Sequence, residues 1–397
     1  MPIQLPTKIL QLYRLYLSSL ITILVFSMPL KAFETNAKAA FVVDLTTGSI
    51  LLAKNADKPL PPASMSKLMT LYVAFEFIEA GRLSLDEKLP VSAHAAKYGG
   101  STMFLDTTDR VRVDDLLKGI IVLSGNDACA VIAEALSPDG TEAGFARLIT
   151  ERAEQLGMTN STFRNSNGWP ATGHVMSMRD LALLSKRLIE DFPEFYPLFA
   201  EKEFVFDGRA PANSRNRNPL LGLGIGADGL KTGHTNEAGY GLTGSAVQGN
   251  RRIIFAISGL TSSAERAHEA EAIVNWAFRQ FTMKSFGEKG TVIARAPVWN
   301  GRQSIVNLVL KDRIGALVPI LGNSDARFEI EYKSPIPAPI RQDQELATLI
   351  ISTEGLADVK IPLVAETAVP MGGFITRVIT AAKSIINQVT SGPEAAL

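Results

Sequence analysis

The chain of 397 residues carries one cysteine, four histidines and no charge excess, 40 basic residues standing against 40 acidic ones. A single cysteine excludes an intrachain disulfide. Cys129 lies in DACAVIAEAL, an apolar helical stretch, where a buried structural thiol is expected. His94, His174, His234 and His268 are far apart and fall in no H-E-x-x-H or Cys/His spacing, so no metal or cofactor is expected. Balanced charge without a basic stripe argues against a nucleic-acid partner. The apolar run at residues 15–30 is short of the roughly 20 residues that a membrane helix needs.

That run has a different use. Lys8 and Arg14 precede it and small residues follow, which is the order of a secretory signal peptide. Cleavage is expected after Ala32, giving a leader of residues 1–32, with Ala37-Lys38-Ala39 as a competing site and an uncleaved anchor as the alternative. In either case the chain is expected to be exported.

The remaining length suits two folded domains with appendages. AAFVVDLTTGSILLAKN alternates about Thr46-Thr47-Gly48 and predicts a hairpin. From Ser64 to Ala80 the sequence is apolar on nearly all sides, so that helix should lie in the middle of its domain. LSGNDACAVIAEAL, AGFARLITERAEQLG and DLALLSKRLIEDFP predict three more helices, the last stopped at Pro193. DGLKTGHT and YGLTGSAVQGNRRIIFAISGL then read as strands, turning at Gln248-Gly249-Asn250. A final helix starts near Ser262, where Ser262 and Glu265 fit a capping box. Strand, helices, strands and a closing helix predict an α+β sandwich on one mainly antiparallel sheet, over residues 38–286. Residues 287–366, with TVIARAPVW, SIVNLVLKD, FEIEYKS and LATLIIST, predict a smaller all-β domain. In residues 370–390, Phe374, Val378, Ala382, Ile385 and Val389 follow helical spacing, with Arg377 and Lys383 elsewhere on the wheel. That amphipathic helix is expected to rest on a membrane surface; packing on its own β-domain is the alternative.

Three short motifs carry chemistry. PPASMSKLM places Ser64 and Lys67 one helical turn apart, so a hydroxyl and an amine can meet. The helix N-terminus favours charge building on the serine oxygen, and burial would hold the lysine neutral enough to take a proton. By itself S-x-x-K is also the polar start of an ordinary helix. Ser124-Gly125-Asn126 is either an N-cap or a relay hydroxyl with an amide that holds a peptide. Lys231-Thr232-Gly233 is either an edge strand or a site where Gly233 lets a substrate backbone approach, beside a second cation.

In this order and these contexts, the three motifs resemble those of the penicillin-recognising active-site serine enzymes. PPASMSKLMT, SGNDACAVIAE and DGLKTGHTNEAGYGL are most similar to the D-alanyl-D-alanine carboxypeptidases, over about residues 38–390. The resemblance implies a β-lactamase/transpeptidase-like domain, the small β-domain and the tail. It implies that Ser64 is acylated by the penultimate D-alanine carbonyl of a peptidoglycan stem peptide, with Lys67 as base. Ser124 would relay a proton to the leaving D-alanine and Asn126 would orient the peptide. The N–H groups of Ser64 and His234 would form the oxyanion hole, and Lys231, Thr232 and Gly233 would line the substrate strand. Arg266 would bind the terminal carboxylate; Arg217, in NSRNRNPLL, matches another family arginine. β-Lactam antibiotics would be covalent inhibitors, and the enzyme would work on the periplasmic side of the inner membrane, held peripherally by its tail.

Two departures stand out. GLTSSAERAHE replaces a more basic, glycine-rich segment that relatives often carry, and NSNGWPATGHV puts a bulky Trp169 in the loop facing the site. Among other readings, a class A β-lactamase would need Glu-x-x-Asn, and no asparagine here has glutamate three residues before it. An endopeptidase on crosslinked muropeptides would use the same serine and lysine. A non-enzymatic envelope scaffold would be free to lose the motifs, and all three are intact.

Overall fold

The computed structural model describes residues 33–374, apart from 210–212, 321–326, 354–355 and 357. The expected leader and nearly all of the expected tail helix lie outside these residues.

The predicted hairpin is β1 (Ala39–Asp44) and β2 (Ile50–Lys54), paired antiparallel. The helical segment that follows comprises α1 (Lys67–Glu79), α2 (Val113–Lys118), α3 (Asn126–Leu136), α4 (Glu142–Gln155) and α5 (Met178–Asp191), with a small ribbon, β3 (Lys88–Pro90) and β4 (Arg110–Arg112), between α1 and α2. Then come β5 (Ala227–Thr235), β6 (Gly239–Gln248), β7 (Arg251–Leu260) and α6 (Ser263–Gln280). The five strands form one antiparallel sheet in the order β2-β1-β7-β6-β5, so β5 is an edge.

Both faces of that sheet are covered. Phe41, Ile254 and Ala256 point into the core shared with α1 to α5. Their neighbours Ala40, Val42, Phe255 and Ile257 point the other way, against Ala270, Ile273 and Val274 of α6. Because successive strand side chains alternate in direction, β7 has to be apolar at every central position. α1 is central, as its sequence required: every residue from Lys67 to Phe75 is buried.

α6 begins with half of the expected capping box. Ser262 Oγ accepts from the Glu265 N–H at 3.0 Å, but the Glu265 carboxylate reaches back to Thr261, at 2.7 Å to its N–H, and not to Ser262. The helix stops before Phe281, which opens β8 (Phe281–Gly287). β8 pairs with β11 (Ile314–Pro319), six residues before the expected domain start at 287. Neither strand was read from the sequence.

The remaining strands are β9 (Val292–Trp299), β10 (Ile305–Leu310), β12 (Arg327–Glu331), β13 (Ile336–Pro337), β14 (Glu345–Ser352) and β15 (Val359–Ala365), in one sheet ordered β12-β14-β15-β10-β9-β13. They enclose a separate core around Leu308, Leu349 and Leu363. The buried Arg251 guanidinium ties the two parts together: it meets Asp44 at 2.9 Å and donates to the carbonyls of Ala277 and Phe281.

Candidate active site

Ser64 sits in a tight turn, Ala63–Ser66, that runs directly into α1. Two glycines allow the turn its position. A Cβ on Gly233 of β5 would lie 2.9 Å from the Pro62 carbonyl oxygen and 3.2 Å from the Ala63 Cβ. A Cβ on Gly168 would collide with the Ala63 carbonyl, and its φ of +81° already favours glycine. Gly233 therefore admits the serine turn, a close approach besides the one expected of a substrate backbone. Ala63 itself is held at φ +49°, an uncommon conformation for a residue with a side chain.

One turn along, Lys67 is fully buried. Its Nζ lies 2.9 Å from Ser64 Oγ, 2.7 Å from Asn126 Oδ1 and 2.6 Å from the Asn167 carbonyl oxygen. A neutral amine has two N–H groups and one lone pair. Three oxygens at these distances match an amine that donates to the two carbonyl acceptors and receives the Ser64 proton. Burial lowers the Lys67 ammonium to about 8, the Arg217 guanidinium adds to the fall, and the Asp127 and Glu142 carboxylates oppose it. Cys129 beside it is pushed up to about 12 by burial and carries no charge at neutral pH.

Ser124 follows a wide turn of helix, Gly119–Leu123, and has φ +64°. There its Oγ accepts from Lys231 Nζ at 3.0 Å. Burial, and after it the neighbouring Lys67 and Arg217, hold Lys231 well below the ordinary lysine range. Burial is the leading cause at both lysines, and repulsion from Lys67 adds to it at Lys231. Asn126 Nδ2 donates to the Gly99 carbonyl at 2.8 Å, which orients Oδ1 toward Lys67. Arg217 donates to Ser101 Oγ at 2.5 Å and to the Leu123 carbonyl at 3.3 Å, next to Ser124.

Thr232 is buried, and its carbonyl accepts from Lys231 Nζ at 3.3 Å. His234, exposed at the end of β5, stacks on Tyr240 with ring centroids 3.9 Å apart. The Arg266 guanidinium lies 5.8 Å from the same ring. Arg266 is buried, its Nε has no hydrogen-bond partner, and burial lowers its pKa. Tyr240 thus joins His234 to Arg266 in a second group along β5 from the serine–lysine group.

Asn167 and His174 lie at the site without having been assigned a role there from the sequence, whereas Trp169 was expected in the facing loop. Asn167 meets Lys67 through its backbone carbonyl, which has no sequence signature, while its Oδ1 accepts the Trp169 N–H at 2.9 Å. His174 Nε2 lies 2.7 Å from Ser66 Oγ, and its Nδ1 accepts the Arg164 N–H at 3.2 Å. Burial, with Lys67 nearby, lowers His174 to about 4, so it is a neutral anchor beneath the serine turn. Trp169 is 45% exposed, packs its ring edge against Tyr98 and covers Gly100 next to Asn126.

A serine within reach of a buried lysine at the start of a central helix, facing an edge strand of an antiparallel sheet, is the arrangement of a transpeptidase-like fold. Comparison with known proteins places it further. Residues 27–261 match the D-alanyl-D-alanine carboxypeptidase family, and residues 281–371 match the C-terminal domain of penicillin-binding protein 5. D-alanyl-D-alanine carboxypeptidase DacC of Escherichia coli is 36% identical over 358 residues, 88% of each chain. DacF of Bacillus subtilis is 33% identical over 347 residues, 86% of this chain and 87% of that one. Penicillin binding protein 5 from Haemophilus influenzae superposes with a TM-score of 0.75 at 30% identity, covering 85% of this chain and 98% of that one. The chain belongs to the D-alanyl-D-alanine carboxypeptidase family. It is a serine-type D-Ala-D-Ala carboxypeptidase, a hydrolase of peptidoglycan stem-peptide termini that β-lactams acylate. No helix among the described residues is long and apolar enough to cross a membrane.

Proposed function

We propose that Ser64 is the nucleophile of this carboxypeptidase and neutral Lys67 its general base. The observation that carries the assignment is the Lys67 Nζ–Ser64 Oγ distance of 2.9 Å, with two carbonyl acceptors occupying the remaining amine hydrogens. Ser64 Oγ attacks the penultimate D-alanine carbonyl as its proton passes to Lys67. The N–H groups of Ser64 and His234 stabilise the oxyanion. Collapse breaks the peptide bond, and the departing D-alanine nitrogen takes a proton through Ser124, which Lys231 orients. Water then hydrolyses the ester and restores the serine. Asn126 orients the peptide, Thr232 and Gly233 line the strand it follows, and Arg266 pairs with its terminal carboxylate. The buried, unpartnered Nε of Arg266 supports that last role.

The site works in the exported chain, on the periplasmic side of the membrane, where residues 370–390 act as a peripheral anchor. Residues 1–32 are the leader. Cleavage after Ala32 fits better than cleavage after Ala39, because Thr35 donates to Glu269 at 2.6 Å and Ala37 and Ala39 are buried. Residues 38–286 form the catalytic unit and residues 287–366 the main part of the β-domain.

Incubation with a peptide ending in D-Ala-D-Ala should release D-alanine, and penicillin should block the release. Ser64→Ala should abolish it, and the penicillin adduct seen by intact-protein mass spectrometry should vanish with it. Release that survives Ser64→Ala would place the nucleophile elsewhere.

A further inference from the structure

Glu142, the first residue of α4, is a buried carboxylate that none of the roles above employs. Its Oε1 accepts from the Ser166 N–H at 2.9 Å and from Ser166 Oγ at 2.5 Å. Its Oε2 accepts from the Tyr98 hydroxyl at 2.7 Å and lies 2.7 Å from His94 Nε2. Burial alone would raise this carboxyl, but the donors from Ser166, His94 and Tyr98 outweigh it and hold the pKa below the usual range. A helix N-terminus adds to the preference for the anion.

The consequence reaches Lys67 through two consecutive peptide groups. Ser166 is held at both ends, its N–H by Glu142 and its carbonyl by the Thr70 hydroxyl at 2.6 Å. The next carbonyl, that of Asn167, accepts from Lys67 Nζ. The Asn167–Gly168 peptide is held besides by Asn165 Oδ1, which accepts the Gly168 N–H at 2.8 Å, so Ser166 and Asn165 together aim the Asn167 oxygen.

We propose that Glu142 is a positioning residue for the Lys67 amine, acting through Ser166 and the Asn167 carbonyl. This rests on the reading of Lys67 as the base. The charged and titratable groups facing Lys67 are Asp127 and Cys129 on α3, Glu142 on α4, Arg217, Lys231 on β5, and His174. Those facing Glu142 are His94, Tyr98, Lys67, His174 and Cys129. Of the ionised groups facing Lys67, only Asp127 and Glu142 favour its protonated form. Removing the Glu142 charge, or loosening the carbonyl it fixes, makes the ammonium harder to maintain and the amine a weaker base.

The test is the pH dependence of acylation by a fluorescent penicillin, in the full chain. Glu142→Gln should lower the plateau rate about tenfold and move the acid limb to lower pH by about half a unit. A wild-type acid limb in this variant, whatever its plateau, overturns the proposal, because a purely structural residue would leave the limb in place. If Glu142→Gln does not fold, Ser166→Ala decides: the limb should shift in the same direction by less, and an unchanged limb contradicts the proposal. Lys67→Arg is run beside them. Wild-type acylation by Lys67→Arg removes the base assignment itself. An inert Lys67→Arg together with a wild-type limb in Glu142→Gln removes only the role of Glu142.

Discussion

In the proposed mechanism Lys67 serves as the base because burial makes its charged form costly. With its ammonium at about 8, only about a tenth of the amine is neutral at pH 7. The acylation rate should therefore climb with pH and level off above about 8, which a pH–rate profile with penicillin will show. Ser64, Lys67, Ser124, Asn126 and Lys231 were legible because each pair of neighbours lies within a short motif whose local structure brings it together. Asn167, Glu142 and His174 were not. They reach the site across about 100 residues of chain or through backbone atoms, and Thr141-Glu142 reads as the start of any helix. Gly233 was legible as a point of close approach, but its contact with the serine turn was not, since only packing shows that the Pro62 carbonyl lies against it.

At the scale of elements, the site depends on how closely the serine turn is gripped between β5 and the 165–169 loop. Gly168→Ala should displace the turn: a Cβ would meet the Ala63 carbonyl, and the positive φ adds ~1–3 kcal/mol of strain. Acylation and thermal stability should fall together, measurable by adduct formation and a melting curve. His174 grips the turn from below, and it makes this contact acid-sensitive. Its folded pKa of about 4 lies beneath the ordinary 6.5, so the fold favours the neutral ring. That stabilisation is complete above pH 6.5 and is lost as pH falls through 4. The shift corresponds to ~3 kcal/mol. Urea unfolding from about pH 7 to 4 should show this loss, and His174→Gln should flatten it. The elements themselves were legible where the pattern was strong: α1 as a run apolar on nearly all sides, α3 to α6 as helical segments with recognisable ends. β8, β11 and β15 escaped because short strands beside helices and turns carry little alternation, and the Glu265 carboxylate found Thr261, a choice that side-chain geometry makes and spacing does not.

For the molecule as a whole, the motifs fixed the family while the order of strands stayed invisible: nothing local says that β1 pairs with β7 across more than 200 residues. All the proposed catalytic residues precede α6, and Arg266 lies in its first turns. The β-rich part nevertheless contributes to the first domain, since Phe281 and Leu317 pack into the core beneath α6 and the Phe281 carbonyl accepts from Arg251. A chain ending at Gln280 should keep the wild-type pH profile of acylation. It should melt several degrees lower, because an unpaired buried guanidinium donor and lost apolar contacts cost ~2–3 kcal/mol.

The pairing of Ser64 with Lys67 underlies all three scales, and penicillin acylation of Lys67→Arg tests it most directly. The guanidinium keeps its charge, so it can hold the two carbonyls but cannot take the proton. With adduct formation followed by mass spectrometry above about pH 8 and the modified peptide mapped, the wild-type chain should carry its ester on Ser64. Lys67→Arg should fold and react ~10²–10⁴-fold more slowly. Equal rates, or an adduct mapped outside residues 61–69, would contradict the account.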